Sequence, residues 1–226
     1  MKICIINYAS GAWYPRGQAR LVQSLRDVGN GDISCFVWKN HEELGCPSHQ
    51  QAPYAFKPYA LQYALDMGYE LVLWCDASVW AIKPLSPVFD YLAAHSHLFF
   101  HNTSVGMWTS DACLNGFSIS RDKAMDMSML MGICMGFNLT YGVTHEFLRQ
   151  WLAKANDGFS FPGAWTNDKQ QVSKDPRCRG HRHDQSVASI VACNLGMDYI
   201  IPHETYFSYW EPTMKDTVVL TAQGMS

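Results

Sequence analysis

Three short apolar runs, each followed by a segment predicted to be helical, constrain the fold most strongly. The runs are KICIINY, ISCFVW and LVLWC, and the helical segments are QARLVQSLRDVG, FKPYALQYALDMG and LSPVFDYLAAH. Strands that are apolar along their whole length and are separated by helices are typical of a parallel sheet covered on both faces. The sequence therefore predicts an α/β fold with a mostly parallel sheet.

The third apolar run, Leu71 to Cys75, ends directly on a carboxylate, Asp76. In open α/β sheets, ligands bind in the crevice beyond the carboxyl ends of the strands. A carboxylate at the end of a buried run needs a polar partner, because burying an unpaired charge is costly. Asp76 is therefore a candidate site residue whose partner is either structural or a ligand.

The second half of the chain is less regular. HLFFHN, LNGFSIS, ICMGFNLT and MDYIIP are predicted strands, THEFLRQWLAKANDG is a predicted helix capped by Thr144, and HDQSVASIVACNLG is a predicted helix that ends near Gly196. Between these two helices, FSFPGAWTNDKQQVSKDPRCRG is predicted to be a long loop, and loops of this length are often functional. No repeat or linker is visible, so residues 1–226 are predicted to form one domain.

Composition excludes several classes of function. A formal net charge of -3 argues against binding to nucleic acid, which usually requires a basic surface. No apolar segment approaches the roughly 18 residues of a membrane span, and the start of the chain carries no signal-peptide pattern. The eight cysteines are scattered without CxxC spacing, as expected for free thiols in a reducing compartment. We therefore expect a cytoplasmic protein.

The order of motifs resembles the nucleotide-sugar-dependent glycosyltransferases of the GT-A fold. The matching pieces are INYAS, FKPYALQYAL, LWCDAS, GICMGFN and HRHDQSVASI. The resemblance implies a nucleotide-donor-binding half over residues 1–92 and an acceptor-binding half over residues 93–226. It also implies transfer of a sugar from a nucleoside diphosphate sugar, with a UDP-sugar favoured, to a hydroxyl of a glycan or another acceptor.

The resemblance assigns roles to particular residues. Asp76 and Asp184 are implied to be catalytic. The implied donor-binding residues are Tyr8, Arg20, Lys57, Trp74, Asp76 and Ser78, and the implied acceptor-binding residues are Gly136, Phe137, Asn138 and Gln185. Arg16, Arg182 and Lys215 are further candidate cations for the diphosphate that leaves. The candidates for an acceptor platform are Trp74, Trp80, Tyr209 and Trp210.

The resemblance also implies a divalent metal, Mn²⁺ or Mg²⁺, held by Asp76, Ser78 and His203. In this class the strand-end motif is usually Asp-x-Asp, whereas the positions here read Asp76, Ala77 and Ser78. A hydroxyl is an uncharged and weaker ligand for these hard cations, which favour oxygen donors. The long loop from Phe159 to Gly180 is hypothesised to close over the donor as a lid.

Simpler structural roles stay open for most of these residues. Asp184 can cap the helix that it begins, Gly136 can form a bulge, Tyr8 can pack at the end of a strand, and the tryptophans can belong to the core. Cys178, His181, His183 and Asp184 are zinc-compatible in type, but no second pair of ligands stands out. The remaining functional alternatives are a non-catalytic carbohydrate-binding or scaffold protein of the same fold and a sugar nucleotidyltransferase.

Overall fold

Strands and helices alternate through the first half of the chain, as the apolar runs predict. The computed structural model describes residues 1–197, 201, 203–211 and 214–223. Its elements are β1 (Ile3–Tyr8), α1 (Tyr14–Asp27), β2 (Ser34–Trp38), α2 (His41–Leu44), α3 (Phe56–Asp66), β3 (Leu71–Cys75), β4 (Val79–Ala81), α4 (Ser86–Ala94), β5 (His97–Leu98), β6 (His101–Ser104), α5 (Asp111–Gly116), α6 (Arg121–Met125), β7 (Ser128–Leu130), β8 (Cys134–Asn138), α7 (Gly142–Ala155), α8 (His183–Asn194), β9 (Phe207–Tyr209) and β10 (Leu220–Ala222).

The central sheet has five strands in the order β2-β1-β3-β8-β5. Strand β1 runs parallel to β2 and β3, whereas β8 runs antiparallel to both β3 and β5. Because successive side chains of a strand point to opposite faces, the strands divide the core in two. Ile6 and Trp74 belong to one buried cluster, while Ile5 and Leu73 belong to the other. The predicted mostly parallel sheet with a core on each face is confirmed.

The antiparallel direction of β8 determines which of its residues lie near Asp76. In the register with β3, Cys134 faces Cys75 and Asn138 faces Leu71. The start of β8 therefore lies at the carboxyl edge of β3, where the Asp76 amide donates to the Ile133 carbonyl at 2.8 Å. The end of β8 lies at the opposite edge of the sheet.

Two smaller sheets complete the described part. Strands β4, β10 and β9 form one, in that order, and β6 pairs with β7 in the other. Since β4 begins at Val79, the first of these sheets joins the central one directly after Asp76. Among the described helices, none is long and apolar enough to cross a membrane.

Several sequence predictions of local structure need correction. LNGFSIS is not a strand: Ser110 caps a helix by accepting from the Cys113 amide at 3.2 Å, and this helix occupies Asp111–Gly116. Helix α7 begins at Gly142 after Tyr141, so Thr144 is not its cap and instead donates to the Ser96 carbonyl at 3.2 Å. HLFFHN divides into β5 and β6, and most of MDYIIP lies outside the described residues.

Candidate active site

A buried lysine connects the two carboxylates that the sequence singles out. Lys57 Nζ lies 3.0 Å from Asp184 Oδ2 and 3.4 Å from Asp76 Oδ1. The same ammonium donates a hydrogen bond to the Gly132 carbonyl at 2.7 Å. Lys57 and Asp184 are buried, whereas the side chain of Asp76 is 34% exposed. Asp76 is thus the most exposed member of the cluster.

Three elements bring this cluster together at one edge of the sheet. Lys57 lies in the first turn of α3, Asp76 follows β3, and Asp184 lies in the first turn of α8. A carboxylate near the start of a helix is stabilised by the free backbone amides there. The alternative that Asp184 is a helix cap is wrong, because α8 begins at His183 and Arg182 occupies the cap position.

The charges in the cluster depend on one another. Burial raises the pKa of Asp184 and of Asp76, and the Lys57 ammonium opposes that rise in both. Burial lowers the pKa of Lys57, but the two carboxylates outweigh burial, so its pKa is raised overall. Lys57 therefore keeps its proton at neutral pH, and its single positive charge is shared by two carboxylates.

Two buried polar atoms beside Lys57 lack hydrogen-bond partners among the described residues. They are Asp184 Oδ2, whose contact with Lys57 is an ion pair rather than an aligned hydrogen bond, and Gln185 Nε2. Gly132 lies between them, since a Cβ there would come within 3.3 Å of Asp184 Oδ2 and 3.4 Å of Gln185 Cβ. A buried donor without a partner is unusual in a protein, so Gln185 Nε2 beside the Asp184–Lys57 ion pair indicates a position for a ligand.

An aromatic cavity of about 350 Å³ opens beside Asp76. Tyr8 stacks on Phe56 within the cavity wall, with ring centroids 4.1 Å apart and planes at 10°. Among the described residues that line it, Asp76 is the one acidic residue and none is a lysine or an arginine. The lining residues are Tyr8, Ala9, Ser10, Tyr14, His49, Tyr54, Phe56, Asp76, Ala77 and Ser78.

Two residues with strained backbones meet next to the cluster. Tyr54 has φ of 63° and His183 has φ of 46°, values that residues other than glycine rarely adopt. Their rings lie 5.5 Å apart, and the Tyr54 ring also lies 5.5 Å from Lys57 Nζ. Such strain persists only where the surrounding structure holds it, and it concentrates at functional sites.

Trp74 has a different role from the one that the resemblance implies. The ring is 1% exposed and packs in the core, so it cannot stack on a donor. Instead, its indole Nε1–H donates to Asp76 Oδ1 at 2.8 Å. Trp74 therefore holds Asp76 in place, and the assignment of Trp74 as a donor-contacting residue is wrong.

The predicted acceptor-binding residues of β8 lie far from the cluster. Gly136 packs against Leu92, since a Cβ on it would come 2.8 Å from a Leu92 methyl. Phe137 is a core residue, and Asn138 is fully buried with its amide bonded to the Leu92 carbonyl at 2.8 Å. This prediction is wrong because β8 is antiparallel to β3, which places Asn138 at the opposite edge. Gln185, by contrast, lies in the cluster.

The other predicted cations lie around the site rather than in it. Arg20 donates to the Ser78 carbonyl at 3.0 Å and stacks over Trp80 at 4.1 Å, so it supports the cavity wall from behind. Arg16 lies over Trp13, and Lys215 pairs with Glu204 at 3.0 Å. No sequence pattern singles out Gly132, Ile133 or Tyr54, because only the fold brings them to the Lys57 and Asp76 side.

The oxygen atoms of Asp76 and Ser78 fit a divalent cation that is bound mainly by the phosphates of a substrate. Asp76 and Ser78 line one cavity and both offer oxygen, and the contacts from Trp74 and Lys57 use only Oδ1 of Asp76. Magnesium commonly binds through one or two carboxylates together with substrate phosphates. The described residues contain no group of three or more His, Cys, Asp or Glu that could hold a metal, which contradicts the zinc alternative. The side chain of His203 lies outside the described part.

Comparisons with known proteins bear on the fold. No protein-family model matches the chain, and no curated protein matches its sequence. Among the solved structures that resemble it is mouse xyloside xylosyltransferase 1 in its apo form, with a TM-score of 0.53 and 10% identity over 99% of this chain and 98% of that one. A glycosyltransferase involved in glycosylation of the major capsid of PBCV-1 has a TM-score of 0.57 and 14% identity over 97% of this chain and 93% of that one. Apo WbbM, a bifunctional glycosyltransferase, has a TM-score of 0.55 and 9% identity over 98% of this chain and 45% of that one. At these identities the likeness defines the fold. The chain therefore has the GT-A type of fold that glycosyltransferases use.

Proposed function

We propose that this protein is a glycosyltransferase that moves a sugar from a nucleoside diphosphate sugar, with a UDP-sugar favoured, to a hydroxyl of a glycan or another acceptor. One observation carries the proposal: Asp76 is held by the buried Lys57–Asp184 ion pair and lines an aromatic cavity at the carboxyl edge of the sheet. A sugar hydroxyl both donates and accepts hydrogen bonds, so sugar hydroxyls can pair with the carboxylates and with the unpaired Gln185 Nε2 of this cluster.

The aromatic cavity suits the base of the donor. Tyr8 is backed by Phe56 and is therefore a rigid surface for stacking, while Ser10 and His49 offer polar groups at the wall. A mostly apolar cavity with a few polar groups is typical of small-molecule sites. In this proposal the base lies on Tyr8, and the diphosphate extends toward Asp76 and Ser78.

The diphosphate brings negative charge to a cavity whose one charged lining residue, Asp76, is itself negative. A counter-cation is therefore needed, and Asp76 with Ser78 would hold Mn²⁺ or Mg²⁺ against the phosphates. When bound, such a cation stabilises the negative charge that develops on the leaving diphosphate. Lys57 fixes the position of Asp76 and neutralises part of the repulsion between the two carboxylates.

In this proposal Asp184 contacts a sugar directly. Its Oδ2 accepts a hydrogen bond from a sugar hydroxyl, and Gln185 Nε2 donates to the same sugar. When the sugar-phosphate bond breaks, its electron pair leaves with the diphosphate, the acceptor oxygen forms the new bond to the sugar carbon, and the acceptor hydroxyl loses its proton. If the hydroxyl on Asp184 is that of the acceptor, the carboxylate receives this proton.

A thermal-shift screen of UDP, GDP, CMP and dTDP, each with and without Mn²⁺, tests the proposal. A ligand that binds the native state raises the melting temperature, so we expect one diphosphate to stabilise the protein, and more strongly with Mn²⁺. Asp76→Asn should lose the Mn²⁺-dependent part of the shift, whereas Asp66→Asn, on the exposed side of α3, should keep it. No response to any nucleotide would favour the non-catalytic carbohydrate-binding alternative.

We also propose that the protein acts in the cytoplasm. Six of the eight cysteines are buried thiols, which is typical of proteins from reducing compartments.

A further inference from the structure

An exposed indole lies next to the cluster and is held there on several sides. Trp165 is 51% exposed. The Arg182 guanidinium lies 3.8 Å from its ring centre, and the Tyr54 and His183 ring centroids lie 6.4 Å and 5.8 Å away. Trp165 thus combines an exposed surface with a fixed orientation.

Arg182 provides most of that fixation. Its guanidinium lies between two indoles, 3.7 Å from the centre of Trp108 and 3.8 Å from that of Trp165. The Nη1 atom also donates to the Trp165 carbonyl at 2.6 Å. On the far side of this segment Gly180 approaches so closely that a Cβ there would come 1.9 Å from the Trp165 carbonyl oxygen. The indole is therefore pre-organised, which reduces the entropy lost when a ligand binds.

The position of Trp165 relates it to the reacting end of the donor. Tyr54 connects the donor cavity with Trp165. It lines the cavity, and its ring centroid lies 6.4 Å from that of Trp165. Arg182, which stacks on Trp165, comes two residues before Asp184 in the chain. Trp165 therefore lies across Tyr54 from the donor cavity, beside the ring of His183, which directly precedes Asp184 in the chain.

We infer that Trp165 is the stacking residue of an acceptor subsite and that the acceptor is a saccharide. This inference rests on the proposed function. A protein partner would need a continuous apolar patch, whereas Trp165 is one indole with the Arg182 guanidinium and the His183 ring beside it. A pyranose ring presents an apolar C–H face to an indole and hydroxyls at its edge. The bonds of Arg182 to carbonyls use only Nη1, so its other nitrogens can donate to those hydroxyls.

Saturation-transfer NMR tests the subsite without requiring turnover. The probes are methyl β-glucoside, methyl β-galactoside, methyl β-xyloside and methyl α-mannoside, each added to the protein with UDP and Mn²⁺. We expect at least one glycoside to receive saturation at its ring C–H protons. Trp165→Ala should weaken its affinity about three- to tenfold, the range for loss of one aromatic contact, and Trp165→Phe should retain most of it.

Tyr141→Ala is the matched control, because Tyr141 is an exposed aromatic residue that follows β8 at the opposite edge of the sheet. It should bind the glycoside as the wild type does. Failure of the wild type to bind any of the four glycosides, or equal affinity in Trp165→Ala, would overturn the subsite. Failure of every nucleotide to shift the melting temperature would instead contradict the proposed transfer, so the two failures are distinguishable.

Discussion

The Asp184 carboxylate lies 3.0 Å from the Lys57 ammonium, and both side chains are buried. Asp76 shares the same lysine, so two acidic groups depend on one positive charge. Removing one partner from a buried ion pair leaves an uncompensated charge. This destabilises the fold more than replacing the whole pair with apolar residues does. The cluster is therefore both a structural element and the centre of the proposed site.

Replacing Lys57 should affect stability and activity together. Lys57→Met leaves two carboxylates next to each other without a cation, and we expect the free energy of unfolding to fall by about 3 kcal/mol. Urea denaturation measures this loss. The double variant Lys57→Met with Asp184→Asn should recover part of the stability but none of the transfer activity. A single variant as stable as the wild type would contradict the account of the cluster.

The rate of transfer should fall in acid at a higher pH than an ordinary aspartate would produce. Burial raises the pKa of Asp184 above its usual 3.8, so this carboxyl takes up its proton, and loses its role as an acceptor, before an exposed one does. The pH profile of kcat/KM reports this limb. Asp184→Asn should lose about 100-fold or more in kcat/KM, and any acid limb in the activity that remains should come from Asp76, whose pKa burial also raises.

The stability of the fold should also depend on two neutral histidines. His181 Nδ1 accepts from the Ser110 amide at 3.2 Å and its Nε2–H donates to the Ser160 carbonyl at 2.9 Å, a pattern that only the neutral ring satisfies. Burial lowers the pKa of His181 to about 3 and that of His183 to about 4. The unfolded chain therefore binds protons first, and stability should fall as pH drops from about 6.5 toward these values.

Each of these histidines contributes at most about 1.4 kcal/mol per pH unit in that range. Urea midpoints measured at pH 7, 6 and 5 give the slope. His181→Gln, which can still accept and donate, should reduce the slope by about half. An unchanged slope in this variant would show that the acid sensitivity comes from elsewhere.

A methyl group at Gly132 should disturb the site with little effect on the rest of the fold. In Gly132→Ala the new Cβ would lie 3.2 Å from Lys57 Nζ and 3.3 Å from Asp184 Oδ2, so the cluster must move by a few tenths of an ångström. We expect a loss of about tenfold or more in kcat/KM, because small displacements of reacting groups are costly. Gly142→Ala is the control: its Cβ would meet none of the described atoms within 4 Å.

Enlarging Gly136 should have the reverse effect. A Cβ there would lie 2.8–2.9 Å from Leu92 and Leu98, and overpacking of this kind costs about 1–3 kcal/mol. We expect Gly136→Ala to lower the urea midpoint while the KM values of the remaining folded enzyme stay those of the wild type. A raised acceptor KM without loss of stability would restore the original assignment of this glycine to the acceptor site.

The first half of the fold could be predicted from sequence because its signals are local. Apolar strands, helical spacing and the carboxylate after β3 place Asp76 at the sheet edge, and Asp184 and Lys57 follow from the resemblance. The direction of β8 could not be predicted, since a buried apolar strand has the same pattern in either direction. That one unknown moved Gly136 to Asn138 away from the site and concealed Gly132, whose role depends on contacts distant in the chain.

The antiparallel course of β8 has a consequence for how such a site can diversify. The chain reaches the Lys57 cluster through residues 131–133, directly before β8. The short helices α5 and α6 and the β6-β7 pair precede these residues in the chain. Insertions or deletions in that preceding region can change the acceptor side while the strand order of the sheet stays the same. On the proposed function, the part of the fold around Asp76 and the region that leads to Gly132 can therefore vary independently of each other.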